Sequence, residues 1–254
     1  MSSQQRIALI TGGNRGIGRS TALAIAADGV DSVITYRSHA DEAAEVVAEI
    51  EALGRQAAAL QLDTGDNSTF DDFAGALATT LQDTWSRDTF DFLVNNAGNS
   101  SDSAFTEVTE EEFDTLVDIH FKGVFFLTQR LLDQLADGGA IVNLSSGLAR
   151  FSYPNRVAYG SVKGAVEVLS RYLAAELGPR GIRVNVIAPG AVATDFSGGV
   201  VRDTPAMQEA IASNTALGRH AVADDIGPVI ASILRDDNHW VTGQRIEASG
   251  GVHL

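Results

Sequence analysis

No cysteine occurs among the 254 residues, which excludes disulfides and thiolate metal sites and is compatible with a reducing compartment. Positive charge is also scarce: 18 Lys and Arg stand against 33 Asp and Glu, for a formal net charge of −15. Nucleic-acid backbones are held by clustered Lys and Arg, and anionic membranes by polybasic segments, so neither is an expected partner. Long apolar runs are missing, and the opening MSSQQRIALITGG meets glycine too early to be a signal peptide or a span. The five histidines (His39, His120, His220, His239 and His253) are scattered without ligand spacing, so no metal is expected. These absences point to a soluble, cytoplasmic protein.

What is present is alternation. Short β-rich runs, RIALIT, SVITY, AAALQL, FDFLVNN, AIVNLS, IRVNVIA and QRIEA, are each bounded by turn residues. Longer stretches with helical spacing lie between them, among them DEAAEVVAEIEALG, EEFDTLVDIHFKGVFFLTQRLLDQL and AYGSVKGAVEVLSRYLAAELG. Such regular alternation predicts an α/β fold: one doubly wound Rossmann domain over residues 1–254, a seven-stranded parallel sheet with helices on both faces. The five prolines are dispersed and mark no linker. A segment of about 191–217, rich in small and polar residues, follows a predicted strand. It is expected to be a loop with a short helix, placed to close over a site at the carboxyl ends of the strands.

The first strand runs into TGGNRGIG and then a helix. Gly12, Gly16 and Gly18 permit positive φ and close backbone approach, and the helix N-terminus suits a pyrophosphate. NAD-binding folds end their second strand with an acidic residue that takes the ribose hydroxyls. Here that strand ends SVITYRS, with Tyr36 in the acidic position and Arg37 after it. A 2′-phosphate is welcomed by guanidinium, and Arg15 in the glycine turn points to the same preference, so the expected cofactor is NADP(H).

Lysine is the rarest cation, found only at 122 and 163. Lys163 follows Tyr159 by four residues, which places the two on one helix face after the strand that ends in Ser145 and Ser146. A phenol of pKa near 10 is a poor acid or base at neutrality unless a cation lowers it. Lys163 is expected to supply that cation. Tyr159 then exchanges a proton with a carbonyl oxygen that a serine hydroxyl holds in place.

With these pieces assembled, the chain resembles the classical short-chain dehydrogenase/reductase family along nearly its whole length. The resemblance is carried by TGGNRGIG, LQLD, NNAG, NLSS, YGSVK and APGAVAT, in the family's order. In type it is similar to the bacterial members that include 3-oxoacyl-carrier-protein reductases and glucose dehydrogenases. The resemblance implies that Tyr159 is the acid/base, that Ser146 orients the substrate, and that Lys163 tunes the phenol and binds the nicotinamide ribose. It places Asp63 at the adenine and Asn95 and Gly98 at the adenosine ribose. Pro189, Gly190 and Thr194 are placed at the nicotinamide amide, with Asn14, Ile17, Ala97 and Val192 as further cofactor contacts. It also implies a homotetramer or homodimer built through the long central helix and the YGSVK helix.

One position departs from the pattern. The family places an asparagine in a VNLKG-like stretch of the central helix, where it holds a water linked to the lysine; here the stretch is DIHFKG, with His120 in that place. Histidine can carry a proton, so one reading keeps the relay and makes it sensitive to pH near neutrality, while the other has His120 packing beside Phe121. Phe151 and Tyr153 read either as substrate-pocket residues or as loop aromatics, and Phe125, Phe126 and Trp240 as core or subunit interface. The reading is an NADPH-dependent reductase of a small carbonyl compound, reversible to alcohol oxidation. The alternative is a dinucleotide-binding sensor or scaffold on the same fold.

Overall fold

The computed structural model describes residues 5–254. Nine strands are present: β1 (Ile7–Ile10), β2 (Asp31–Tyr36), β3 (Ala57–Gln61), β4 (Phe90–Asn95), β5 (Leu135–Leu144), β6 (Arg183–Pro189), β7 (Val192–Ala193), β8 (Ala221–Val222) and β9 (Arg245–Ala248). Seven form one parallel sheet in the order β3-β2-β1-β4-β5-β6-β9, and β7 and β8 make a separate parallel pair. All seven runs expected to be strands are strands of the main sheet.

Successive residues of a strand face opposite sides, and β1 shows the consequence. Ala8 and Ile10 join a core beneath α1 (Gly16–Ala27), α2 (Ala40–Ala52) and α9 (Gly227–Leu234). Ile7 and Leu9 join the opposite core, which includes Leu77 of α3 (Phe70–Trp85), Leu127 of α5 (Gly123–Leu131) and Leu177 of α6 (Val157–Leu177). Both faces are therefore covered. That is why the strands read as unbroken apolar runs rather than as alternations.

The strand order reverses between β1 and β4, and in such sheets ligands occupy the crevice at that switch point, beyond the carboxyl ends. The loops that carry the expected site residues all leave the sheet from that edge.

The central helix differs from the single long run expected. It consists of α4 (Glu110–Val117), a π-helical turn at Asp118–Lys122, and α5. Thr109 caps α4 by accepting from the amide of Glu112, and three glutamates occupy its first turn, where negative charge suits the helix dipole. At the far end of the π turn, Gly123 packs so closely on the Thr64 carbonyl that a Cβ there would overlap it. The segment after β7 holds α7 (Val200–Asp203) and α8 (Pro205–Ser213). Among the described residues no helix is long and apolar enough to cross a membrane.

Candidate active site

A cavity of about 820 Å³ opens at the carboxyl edge of the sheet. Its floor begins at the glycine turn. Gly12 and Gly16 take φ of 63° and 55°, which lets the turn fold over the strand end and present α1 to the cavity. Arg15, Arg37, Ser38 and His39 line the same end, all exposed. Asn14, Ile17, Asp63, Ala97, Gly98, Pro189, Gly190, Val192 and Thr194 also line the cavity, as the sequence led us to expect.

Three expected cofactor residues do not reach the wall. A Cβ at Gly18 would overlap the carbonyl oxygen of Gly12, so Gly18 is there to seat α1 against the turn. Tyr36 is half-buried and packs against the core under α1 and α2. Asn95 points into the interior: its amide donates to Asn143 Oδ1 at 2.8 Å and to Thr128 Oγ1 at 3.1 Å. The neighbouring Asn96 is the residue that meets the turn, donating to the Thr11 and Gly12 carbonyls at 2.8 and 3.1 Å. The alternation of side chains along β4 decides which of the two asparagines faces the site.

At the other end Ser146, Tyr159, Lys163 and His120 converge. Tyr159 is 8% and Lys163 5% exposed, and Lys163 Nζ lies 5.6 Å from the phenol ring centroid while donating to the Leu144 carbonyl at 2.7 Å. Burial dominates both titrations. It pushes the phenol well above its ordinary value, and Arg156 and the Ser146 hydroxyl recover only part of the rise. The same burial brings the Lys163 ammonium down to about 7. Burial thus outweighs the lowering of the phenol expected from Lys163, because the low-polarity wall penalises ammonium and phenolate alike.

His120 is 1% exposed, and its ring stands edge-on to Tyr159 at 5.3 Å between centroids. Nε2 lies 2.8 Å from the Asn99 carbonyl, and Nδ1 is buried with no partner. Burial, with Lys163 nearby, holds its pKa well below the usual histidine range. Such burial favours the neutral ring and argues against a relay that titrates near neutrality. The packing reading holds in part, against Tyr159 and Gly98; a Cβ at Gly98 would meet the ring.

The loops complete the enclosure. Phe151 and Tyr153 line the cavity, with Phe196 from the segment after β7 lying 6.1 Å from the Tyr159 ring. Sequence reasoning missed Asn99, Arg156, Phe196 and His253, which also line it. Behind Ser146, a chain of contacts from Ser145 to Glu167 (2.7 Å), Arg245 (2.6 Å) and Glu247 (2.8 Å) anchors the strand end. Lys122, exposed to solvent, pairs with Asp118 at 2.7 Å.

Comparison with known proteins agrees with this geometry. A family model described as enoyl-(acyl carrier protein) reductase matches residues 12–253. An uncharacterized oxidoreductase of Methylorubrum extorquens is 38% identical, over 97% of this chain and 97% of its own. The chain belongs to the classical short-chain dehydrogenase/reductase family. As a member it is an oxidoreductase by type, and its Rossmann sheet is the family's. Among solved structures, the promiscuous reductase LugOII, which catalyses keto-reduction at C1 during lugdunomycin biosynthesis, superposes with a TM-score of 0.93 at 37% identity and full coverage of both chains. The angucycline C-6 ketoreductase LanV with bound NADP gives 0.92 at 36% identity, over 98% of this chain and 95% of that one.

Proposed function

We propose that this short-chain dehydrogenase/reductase is an NADPH-dependent ketoreductase acting on a cyclic, flat ketone. The observation that carries the reading is the meeting of half-buried Ser146 with buried Tyr159 and Lys163 in one wall of a cavity whose far end is lined by Arg15 and Arg37. The residues present fit the cofactor. Gly12 and Gly16 hold their turn in a conformation that leaves the backbone open to a pyrophosphate, and the two exposed guanidinium groups suit a 2′-phosphate. The NADP-bound neighbour supports the same choice. When bound, NADPH supplies the hydride.

The protein's own part is proton delivery and positioning. Ser146 and Tyr159 hold the carbonyl oxygen, and Tyr159 Oη gives it a proton as the carbon is reduced. The raised pKa suits this direction, because the phenol is fully protonated at neutral pH. Lys163, still substantially ammonium near 7, stands one helical turn away to stabilise the phenolate left behind. Phe151, Tyr153 and Phe196 give the wall an aromatic surface suited to fused rings, and both solved neighbours are ketoreductases.

A carrier-protein thioester fits less well. A carrier is acidic, the chain carries −15 overall, and the exposed Arg130 is already paired with Asp71 at 2.6 Å. The exposed apolar side chains of Phe113, Phe125 and Phe126 on α4 and α5, and of Val168 and Tyr172 on α6, support assembly as a dimer or tetramer through those helices. Trp240, 92% exposed, belongs to no core among the described residues. The deciding experiment follows NADPH oxidation over monocyclic and fused-ring ketones, aldehydes and 3-oxoacyl thioesters, with Tyr159→Phe alongside. Ketone-dependent turnover lost in the variant supports the reading; NADPH binding with no turnover of any carbonyl would favour the sensor.

A further inference from the structure

One part of the cavity wall comes from a segment that no sequence motif marks. Val252 is buried and His253 exposed, and both line the cavity. They are held from two sides. On one side stands Arg150, four residues beyond Ser146. Its Nη2 donates to the Val252 carbonyl at 2.7 Å, its Nη1 to the His253 carbonyl at 3.2 Å, and its Nε and Nη2 to the two Glu247 carboxylate oxygens at 2.7 Å each. With Arg150 first among its partners, and Arg245 and Ser249 also bonded to it, Glu247 is drawn down to about 2 and stays ionised.

On the other side lies the end of the segment that carries α8. The His253 amide donates to the Asn214 carbonyl at 3.0 Å, Thr215 and Val252 form an antiparallel bridge, and the Ala216 amide donates to Gly251 at 3.0 Å. The clamp fixes a side-chain geometry as well. The His253 ring meets Phe151 edge-on at 4.7 Å, and the Arg150 guanidinium lies 5.4 Å from the Phe151 ring centroid. His253 takes a φ of 50°, a left-handed conformation that a non-glycine residue keeps only when its surroundings hold it.

We propose that His253 is a specificity-determining residue, which with Phe151 forms an aromatic corner that packs against the ring system of a flat aryl ketone whose carbonyl lies at Tyr159. Arg150 is its positioning residue. An exposed imidazole edge beside a phenyl ring gains little from an aliphatic ligand and more from an aromatic one, whose faces and edges both have partners there. The inference rests on the ketoreductase reading and extends it to the segment that selects the substrate.

The test compares 1-tetralone with cyclohexanone in the full chain and in His253→Ala, His253→Phe and Arg150→Gln. The reading is the ratio of kcat/KM for the fused ketone to that for the single ring. In parallel, calorimetry measures 1-tetralone binding to each protein saturated with NADP+, where no reduction can occur. His253→Ala is expected to lower the ratio about five- to tenfold, through KM for 1-tetralone, and to weaken its binding by the same factor. His253→Phe should restore both to within about twofold, and Arg150→Gln should behave like His253→Ala. An unchanged ratio in His253→Ala, or an equal loss for both ketones that Phe does not rescue, overturns the proposal. If the wild type reduces neither ketone, the ketoreductase reading fails for these substrates and calorimetry decides alone. Weakened binding in His253→Ala with rescue by Phe then upholds the corner; equal binding, or none by the wild type, removes it.

Discussion

The two ends of the cavity are built from opposite materials. At the glycine-turn end the charged groups are exposed: Arg15, Arg37 and Asp63 all face water. At the reacting end the polar groups are buried, with Lys163, Tyr159 and His120 each less than a tenth exposed. The exposed end can be tuned only by net charge and salt, because exposed groups are screened. The buried end shifts proton affinities instead, and the direction of each shift follows from which form burial penalises. The two ends of one cavity thus differ in the dielectric around their charged groups.

The contrast is broken most severely by removing the proton donor. Tyr159→Phe should cut kcat for ketone reduction by about 10²- to 10⁴-fold while leaving NADPH affinity within about threefold, measured by turnover and by titration of nicotinamide fluorescence. At the exposed end, Arg15→Ala and Arg37→Ala together should weaken NADPH by about 10- to 100-fold and leave NADH nearly unchanged, with the preference itself shrinking as salt rises. An equal loss for both cofactors would deny these arginines any contact with a 2′-phosphate.

The sign of the pH response sharpens the comparison. Lys163 has its pKa depressed to about 7, so the ammonium form prevails below that value and is lost above it. Reductive kcat/KM should therefore fall as pH rises through about 7, approaching tenfold per unit, and alcohol oxidation should gain over the same range because it needs a deprotonated phenol. A flat reductive profile from pH 6 to 9 would show that Lys163 is not required as a cation. The smallest effect is reserved for His120→Asn. Since burial holds the His120 pKa well below the usual histidine range, the substitution should leave the shape of the profile above pH 7 unaltered and change kcat less than about threefold.

Much of this was legible in the chain itself, for identifiable reasons. The seven strands were readable because a sheet covered on both faces demands continuous apolar runs. The glycine turn and the Tyr159–Lys163 pair were readable because their spacing fixes their geometry on short, regular elements. The side of β4 from which an asparagine faces the cavity was not, since Asn95 and Asn96 are chemically identical and only strand register separates them. The π turn at Asp118–Lys122 was hidden for a similar reason: one extra residue in a helix leaves the apolar spacing nearly intact over so short a stretch. Nor could the pKa reversal at Lys163 be read, because it depends on how completely distant segments close over the pair. The contact of His253 with Phe151, about a hundred positions apart, left no local pattern at all.

The two-residue pair of β7 and β8 carries a consequence for how such a protein diversifies. By joining Val192 to Ala221 and Ala193 to Val222, it ties off the intervening stretch at its base, apart from the seven-stranded sheet. Doubling the length of a flexible segment closed in this way costs only about 0.6 kcal/mol in chain entropy. Insertions between Thr194 and Ser213, short of the contacts that Asn214, Thr215 and Ala216 make with the C-terminal segment, then reshape the cavity wall at small cost to the folding of the scaffold. Such changes alter one wall of the cavity as a unit and leave Ser146, Tyr159 and Lys163, which stand on other elements, where they are.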